Sequence, residues 1–320
     1  MLHEPIKTLK VLRMQLLFST PTYDYLKEEL LTLGNLERGT VEVKNFPDGE
    51  RYQRILSDVS GRDVVLIAGT VSDTDTLALY DLACAIEKYG AKSLCIVIPY
   101  FGYSTMERAV KSGEVVTAKT RARLLSSIPR TGTHNMFIFL DLHTEGLPHY
   151  LEGESRTIHV YCKEIVTDIA KSFGGESFIL ACTDAGRAKW VESLANDIGV
   201  QAAFVFKRRL SGEETSITGV SADVKNQKVI IYDDMIRTGG SLIQAAKAYK
   251  NAGAAHIFAI ATHGLFSNEA LKRIQASDLF TKVACTNTHP NALALENDFL
   301  EVASVAKVIH DRLMEQEIAW

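Results

Sequence analysis

Two adjacent aspartates, Asp233 and Asp234, follow the apolar run Val229–Tyr232, and Thr238, Gly239, Gly240 and Ser241 come a few residues later. The run reads as a buried strand after which the chain turns, and open α/β sheets bind ligands beyond the carboxyl ends of their strands. Paired carboxylates suit two neighbouring ribose hydroxyls, directly or through Mg²⁺, a hard cation that prefers oxygen ligands. The glycines allow a tight turn and a close approach of backbone N–H groups. The helix start that follows offers unpaired donors and positive dipole potential to a phosphate, with Thr238 and Ser241 adding hydroxyls. Asp, Thr, Gly and Ser also favour plain turns and caps. It is the attachment to an apolar strand and an acidic pair that favours a phosphorylated ribose.

Such a site needs strands to carry it. Val64–Ala68, Ser93–Pro99, Met136–Leu140, Ser177–Cys182, Ala203–Phe206, Lys228–Tyr232 and His256–Ala261 read as strands. Thr74–Tyr89, Glu114–Ser127, Tyr161–Ser172, Ala188–Asp197 and Gly239–Ala252 between them fit amphipathic helices. Nearly continuous Val/Ile/Leu strands imply sheets covered on both faces, and the alternation implies right-handed βαβ units. The fold class is α/β: two similar domains, each a mainly parallel sheet flanked by helices. Each half contains a strand that closes on an acidic motif, Ile138–His143 in one and Ile230–Met235 in the other. The polar stretch Glu152–Arg156 suggests domains of 1–155 and 156–320.

The chain of 320 residues exceeds the usual single core. It is 46% apolar and 23% charged with a formal charge of −4, an ordinary globular profile. The absence of a long Lys/Arg block argues against a nucleic-acid partner. No apolar stretch reaches membrane-spanning length, and the N-terminus is too charged for a signal-peptide core. Cys84, Cys95, Cys162, Cys182 and Cys285 are scattered without a CxxC pair, as expected of small buried residues in a reducing compartment. A cytoplasmic enzyme is expected.

The segment VIIYDDMIRTGGSL resembles the phosphoribosyl-binding loop shared by phosphoribosyltransferases and ribose-phosphate pyrophosphokinases (PRPP synthetases). The resemblance to the pyrophosphokinases extends from about residue 40 to 290. It implies that Asp233 and Asp234 approach the ribose hydroxyls and that Arg237, Thr238, Gly239, Gly240 and Ser241 surround the 5-phosphate. Phe46–Glu50 (FPDGE) looks like the nucleotide loop, with Phe46 stacking on adenine and Asp48 and Glu50 meeting its edge. In the family a neighbouring subunit supplies this loop, which implies a homo-oligomer. Asp141 and His143 resemble the segment whose histidine contacts Mg-ATP, which makes both candidate Mg²⁺ ligands, and i, i+2 spacing aims both side chains one way if the strand persists. Thr183–Lys189 resembles the diphosphate loop. There Asp184 would hold Mg²⁺-bound water, Gly186 would permit a close turn, and Arg187 and Lys189 would reach phosphate oxygens. Lys207 and Arg209 would belong to the catalytic loop that stabilises transition-state charge; Arg208 and His149 gain no clear role.

The implied reaction is transfer of the β,γ-diphosphoryl group of Mg-ATP to the 1-hydroxyl of ribose 5-phosphate, with Mg²⁺ as cofactor. Three departures stand out. The family commonly has Asp at the place of Arg237, two adjacent glycines where this chain has only Gly186, and Arg, Gln and Asp where it has Thr105, Met106 and Glu107. The usual arginine contact to ATP phosphates is missing or moved to Arg108. The pattern is similar to the plant-type class II synthetases, which accept several nucleoside triphosphates and do not depend on phosphate activation. Two other readings stay open: a non-catalytic paralogue that regulates synthetases, and a phosphoribosyltransferase.

Overall fold

The computed structural model describes residues 14–132, 134–211 and 214–316. The first half runs β1 (Gln15–Ser19), α1 (Asp24–Thr32), β2 (Leu36–Arg38), β3 (Val41–Asn45), β4 (Arg51–Ile55), β5 (Asp63–Ile67), α2 (Asp73–Lys88), β6 (Ser93–Ile98), α3 (Thr117–Ser126), β7 (Met136–Leu140) and β8 (Arg156–Val160). The second begins with α4 (Lys163–Gly174), β9 (Ile179–Cys182), α5 (Ala188–Ile198), β10 (Gln201–Ala203), β11 (Val205–Ser211) and β12 (Glu214–Val220). It continues with β13 (Lys228–Ile236), α6 (Gly240–Asn251), β14 (His256–Gly264), α7 (Ala270–Ala276), β15 (Lys282–Thr286), α8 (Pro290–Leu295), β16 (Leu300–Ala303) and α9 (Ala306–Gln316).

Six strands form one parallel sheet in the order β2-β1-β5-β6-β7-β8, and the second half repeats the plan as β10-β9-β13-β14-β15-β16. In each half an antiparallel hairpin, β3–β4 or β11–β12, is inserted between the second and third strands of the sheet. β6, β7 and β9 are buried along their whole length. That follows from apolar clusters packed on both faces of each sheet, and it is why these strands lack apolar–polar alternation.

The proposed boundary at 155/156 falls just before β8, which pairs with β7 in the first sheet. α9 and the residue before it also cross back: Val305, Ala306, Ile309 and Leu313 pack into the cluster formed by Leu17, Leu26, Leu30 and Ile67 of the first half. The expected strand Ala203–Phe206 is instead a junction where β10 ends and β11 begins. The two acidic motifs do not sit at equivalent places in the two sheets. β7 is the fifth strand in chain order of its sheet and matches β15, whereas β13 is the third and matches β5.

The carboxyl ends of the two sheets face each other. The Tyr23 hydroxyl, just after β1, donates to the Thr288 carbonyl at 3.0 Å. Tyr100, just after β6, sits edge-on between the rings of His263 and His289, with centroid distances of 5.2 and 5.0 Å. Ligand-binding ends of both sheets therefore meet at one junction.

Candidate active site

β13 does not stop at Tyr232. It stays paired with β14 through Met235↔His263 and Ile236↔Gly264, so Asp233 and Asp234 lie on a strand extension that β9 no longer covers. The turn beyond is held by Arg273, which donates to the Thr238 carbonyl at 2.9 Å. Gly239, at φ +76°, precedes α6, and a Cβ there would come within 2.9 Å of Ile274. Left-handed backbone and close packing together call for glycine at this position. Arg237, Thr238, Gly240 and Ser241 are exposed around the helix start.

A cavity of about 720 Å³ opens beside the strand extension, lined by Glu107, His143, Thr144, Glu145, Asp184, Gly186, Arg187, Lys189, Trp190, Asp233 and Asp234. Residues from the carboxyl ends of four strands in two halves thus share one space. His143 Nδ1 and Arg187 Nη2 each lie 2.7 Å from Asp234 Oδ2. Arg187 also donates to the His143 carbonyl at 3.0 Å, tying the diphosphate-loop candidate to the first half. Asp233 Oδ2 accepts from the Thr183 hydroxyl at 2.9 Å, and Asp233 Oδ1 accepts from the Asp234 N–H at 3.0 Å. Asp184 Oδ1 accepts from the Gly186 N–H at 2.8 Å and shapes that turn.

These surroundings split the acidic pair. Burial, reinforced by the charge of Asp234, pushes the Asp233 carboxyl up to about 7. Burial opposes ionisation of Asp234 as well, but the hydrogen bond from His143 and the Arg187 charge outweigh it and hold Asp234 well below the usual carboxylate range. Near neutral pH the pair therefore carries one firm negative charge, and the second comes and goes with a proton.

Asp141 does not line this cavity. Its backbone is at φ +37°, which ends the strand alternation expected to aim it alongside His143. Its Oδ2 instead accepts from the Thr262 hydroxyl at 2.5 Å and the Cys162 N–H at 3.3 Å, inside the junction between halves. Arg108 is exposed and pairs with Glu107 at 3.5 Å, so Glu107 rather than Arg108 lines the cavity. Phe46, Asp48 and Glu50 stand in the turn of the β3–β4 hairpin, outside the cavity-lining residues. There Phe46 meets Tyr52 edge-on at 6.2 Å and Asp48 Oδ1 accepts from the Glu50 N–H at 3.1 Å. Lys207 and Arg209 are on β11, opposite Ile217 and Thr215; their side chains lie outside the described part.

Glu107, Thr144, Glu145 and Trp190 escaped the sequence reading. The Trp190 indole stacks on Tyr232 with centroids 4.1 Å apart and planes 15° apart, forming one wall of the cavity. A tryptophan one residue after Lys189 in a basic turn was the available signal.

Two parallel sheets meeting crest to crest over carboxylates, an imidazole and two cations define a duplicated α/β protein with a polar site at its junction. A family model described as the N-terminal domain of ribose phosphate pyrophosphokinase matches residues 15–128, and one described as the phosphoribosyl synthetase-associated domain matches 187–313. The chain is 33% identical to a ribose-phosphate pyrophosphokinase of Pyrococcus abyssi over 84% of this chain and 90% of that one. It is 31% identical to another from Prochlorococcus marinus, over 97% and 92% of the two chains. A phosphoribosylpyrophosphate synthetase from Mycobacterium smegmatis shares the fold, with a TM-score of 0.84 at 22% identity, covering 96% of this chain and all of that one. The chain belongs to the ribose-phosphate pyrophosphokinase family.

Proposed function

We propose that this chain transfers the β,γ-diphosphoryl group of Mg-ATP to ribose 5-phosphate, giving 5-phosphoribosyl 1-diphosphate and AMP. The sugar's 1-hydroxyl oxygen bonds to the β-phosphorus and gives up its proton to solvent, and the bond from that phosphorus to the α-phosphate bridging oxygen breaks with its electrons leaving on AMP. The observation that carries the reading is the convergence of His143 with Asp233, Asp234, Arg187 and Lys189 around one cavity. Phosphoryl transfer depends on positioning and charge neutralisation, and the cavity holds groups of those kinds.

Asp233 and Asp234 would receive the ribose hydroxyls, and the 237–241 turn at the start of α6 would receive the 5-phosphate. Arg187 and Lys189 would neutralise diphosphate oxygens, with Lys207 and Arg209 completing the charge stabilisation from the β11–β12 hairpin. Among the described residues no group of three or more His, Cys, Asp or Glu is placed to hold a metal ion by itself. Mg²⁺ at nucleotide sites takes only one or two protein ligands beside phosphates and water, and Asp184 and His143 suit that smaller share. Bound there with the nucleotide, Mg²⁺ would neutralise developing phosphate charge.

Thr105, Met106 and Arg237 support a class II assignment, with several triphosphates accepted and no need for phosphate activation. The FPDGE turn, exposed and apart from its own cavity, supports a homo-oligomer in which it closes a neighbour's site. Among the described residues no helix is long and apolar enough to cross a membrane. Purified protein with Mg²⁺ and each of several triphosphates is expected to release nucleoside monophosphate only when ribose 5-phosphate is present, with or without inorganic phosphate. No release above a sugar-free control for any triphosphate would sink the catalytic reading and favour a regulatory paralogue.

A further inference from the structure

We propose that Thr262 and His263 are positioning residues for this reaction: they fasten the turn carrying His143 to the strand beside Asp233 and Asp234. In doing so they set the spacing between the nucleotide and sugar halves of the site. The inference rests on the reading just given and deepens it.

Asp141 is the pivot. Its left-handed backbone persists only where its surroundings over-determine it, and nearly every polar group around it is engaged. Its N–H donates to the Val160 carbonyl at 3.0 Å, and its carboxylate accepts from Cys162 and Thr262. Its carbonyl lies 3.0 Å from His263 Nε2; a carbonyl can only accept, so His263 carries a proton on that nitrogen. One residue on, the Leu142 N–H donates to His159 Nε2 at 2.9 Å.

The corresponding residue after β15 is Asn287, which separates the general contacts from the special ones. Its N–H donates to the Ala303 carbonyl at 2.8 Å, and its Oδ1 accepts from the Val305 N–H at 2.9 Å. Those two bonds repeat the Val160 and Cys162 contacts of Asp141 and belong to the fold. Both residues are also held across the junction, but by different partners: the Asn287 carbonyl accepts from the Tyr25 hydroxyl at 2.5 Å, whereas Asp141 is held by Thr262 and His263. The latter two are on β14, whose Ala261 and His263 pair with Asp233 and Met235 of β13. The Tyr232 hydroxyl, 3.1 Å from Thr262 Oγ1, extends the connection to Trp190 in the cavity wall. His143 is thereby held at a fixed distance from Asp234, although they come from different halves.

A positioning role predicts loss of turnover without loss of substrate affinity, because misplacement of about 1 Å can cost on the order of 100-fold. Thr262→Val keeps the shape and removes the hydroxyl. Its kcat should fall about 10- to 100-fold, with KM for ribose 5-phosphate and for Mg-ATP within about twofold of wild type. Thr262→Ser, which restores the hydroxyl, should recover kcat to within about threefold. A folded Thr262→Val protein with wild-type kcat, or with raised KM and unchanged kcat, overturns the proposal. If Thr262→Val does not fold, His263→Gln, which keeps a donor, is compared with His263→Leu, which does not; equal kcat in that pair overturns it. Inactive wild-type protein would instead remove the underlying functional reading, so the two failures are distinguishable.

Discussion

His143 and His289 occupy the same place in the two halves and lead different lives. Each stands three residues after the fifth strand of its sheet, in Asp-Leu-His after β7 and Asn-Thr-His after β15. His143 faces the cavity and bonds to Asp234. His289 is buried against Tyr100, and its Nδ1 accepts from the Asn291 N–H at 3.2 Å as the cap of α8. The duplicated plan supplies two imidazoles, and neighbouring residues commit one to the site and the other to the core. The third strands diverge likewise: β13 runs into the acidic pair, whereas β5 leads to Gly69, where a Cβ would strike the Tyr23 hydroxyl and ring at 2.4–2.7 Å. The end of β5 is packed too tightly to take the place that Asp233 and Asp234 hold at the end of β13.

The largest test exchanges these roles. His143→Ala is expected to lower kcat by about 10²- to 10³-fold, the usual loss of a group aimed at developing charge, with little change in the urea midpoint. His289→Asn should leave turnover near wild type but change stability. Burial pushes the His289 imidazole down to about 4, so the unfolded chain takes up its proton first. The stabilisation is complete above about pH 6.5 and is lost as pH falls toward 4, about 2 kcal/mol of it by pH 5. His289→Asn, with nothing to titrate, should show a shallower fall in urea midpoint between pH 7 and 5. If the two variants exchange phenotypes, the assignment of site and core is reversed.

A smaller effect probes the open crest itself. Asp233, raised to about 7 by burial and the charge of Asp234, ionises as pH rises through neutrality. Accepting hydrogen bonds from ribose hydroxyls is favoured by the ionised form, so kcat/KM for ribose 5-phosphate should rise up to about tenfold per unit below pH 7 and level off above it. Asp233→Asn should be poorly active and nearly flat over that range. The raised value also means that the folded form is favoured by protonation below about pH 4 and that this contribution is gone above about 7. The same variant should therefore have a higher urea midpoint at pH 8 than wild type. A wild-type profile flat from pH 6 to 8 would show that Asp233 does not titrate in the working enzyme.

Much of the plan is readable in the sequence, and what is not has physical reasons. β6, β7 and β14 stand out because strands buried on both faces are unbroken apolar runs. β2 and β10 are three-residue edges with too little periodicity to register. Nothing local tells that α9 packs beneath the first sheet, since an apolar stripe does not name its partner. At the site, Asp233, Asp234, His143, Asp184 and Arg187 are legible as chemistry-bearing residues at strand ends. Asp141 is misaimed because the i, i+2 rule holds only while the backbone stays extended, and its φ is +37°. Glu107 and Trp190 lie in or beside segments legible as nucleotide and diphosphate contacts, but which side chains of those segments reach the cavity is decided only by tertiary folding.

Arg237 is the least of the differences between the two crests, and the most easily tested. The first half places the acidic Ser72–Asp73–Thr74 start of α2 after its third strand, whereas the second places a cation beside its helix start. Arg237 is exposed and donates to Thr105 Oγ1 at 2.9 Å, across the junction. An exposed bond of this kind contributes little to stability, so Arg237→Ala should shift it by less than about 0.5 kcal/mol. Its charge lies beside the helix start proposed for the 5-phosphate, where an exposed cation should aid binding modestly and in a salt-dependent way. KM for ribose 5-phosphate should rise about threefold at low salt, less at high salt, with kcat and KM for Mg-ATP unchanged. A rise confined to KM for Mg-ATP would instead assign the Arg237 guanidinium to the nucleotide side, reached through Thr105. The cation would then serve the half opposite the one that carries it.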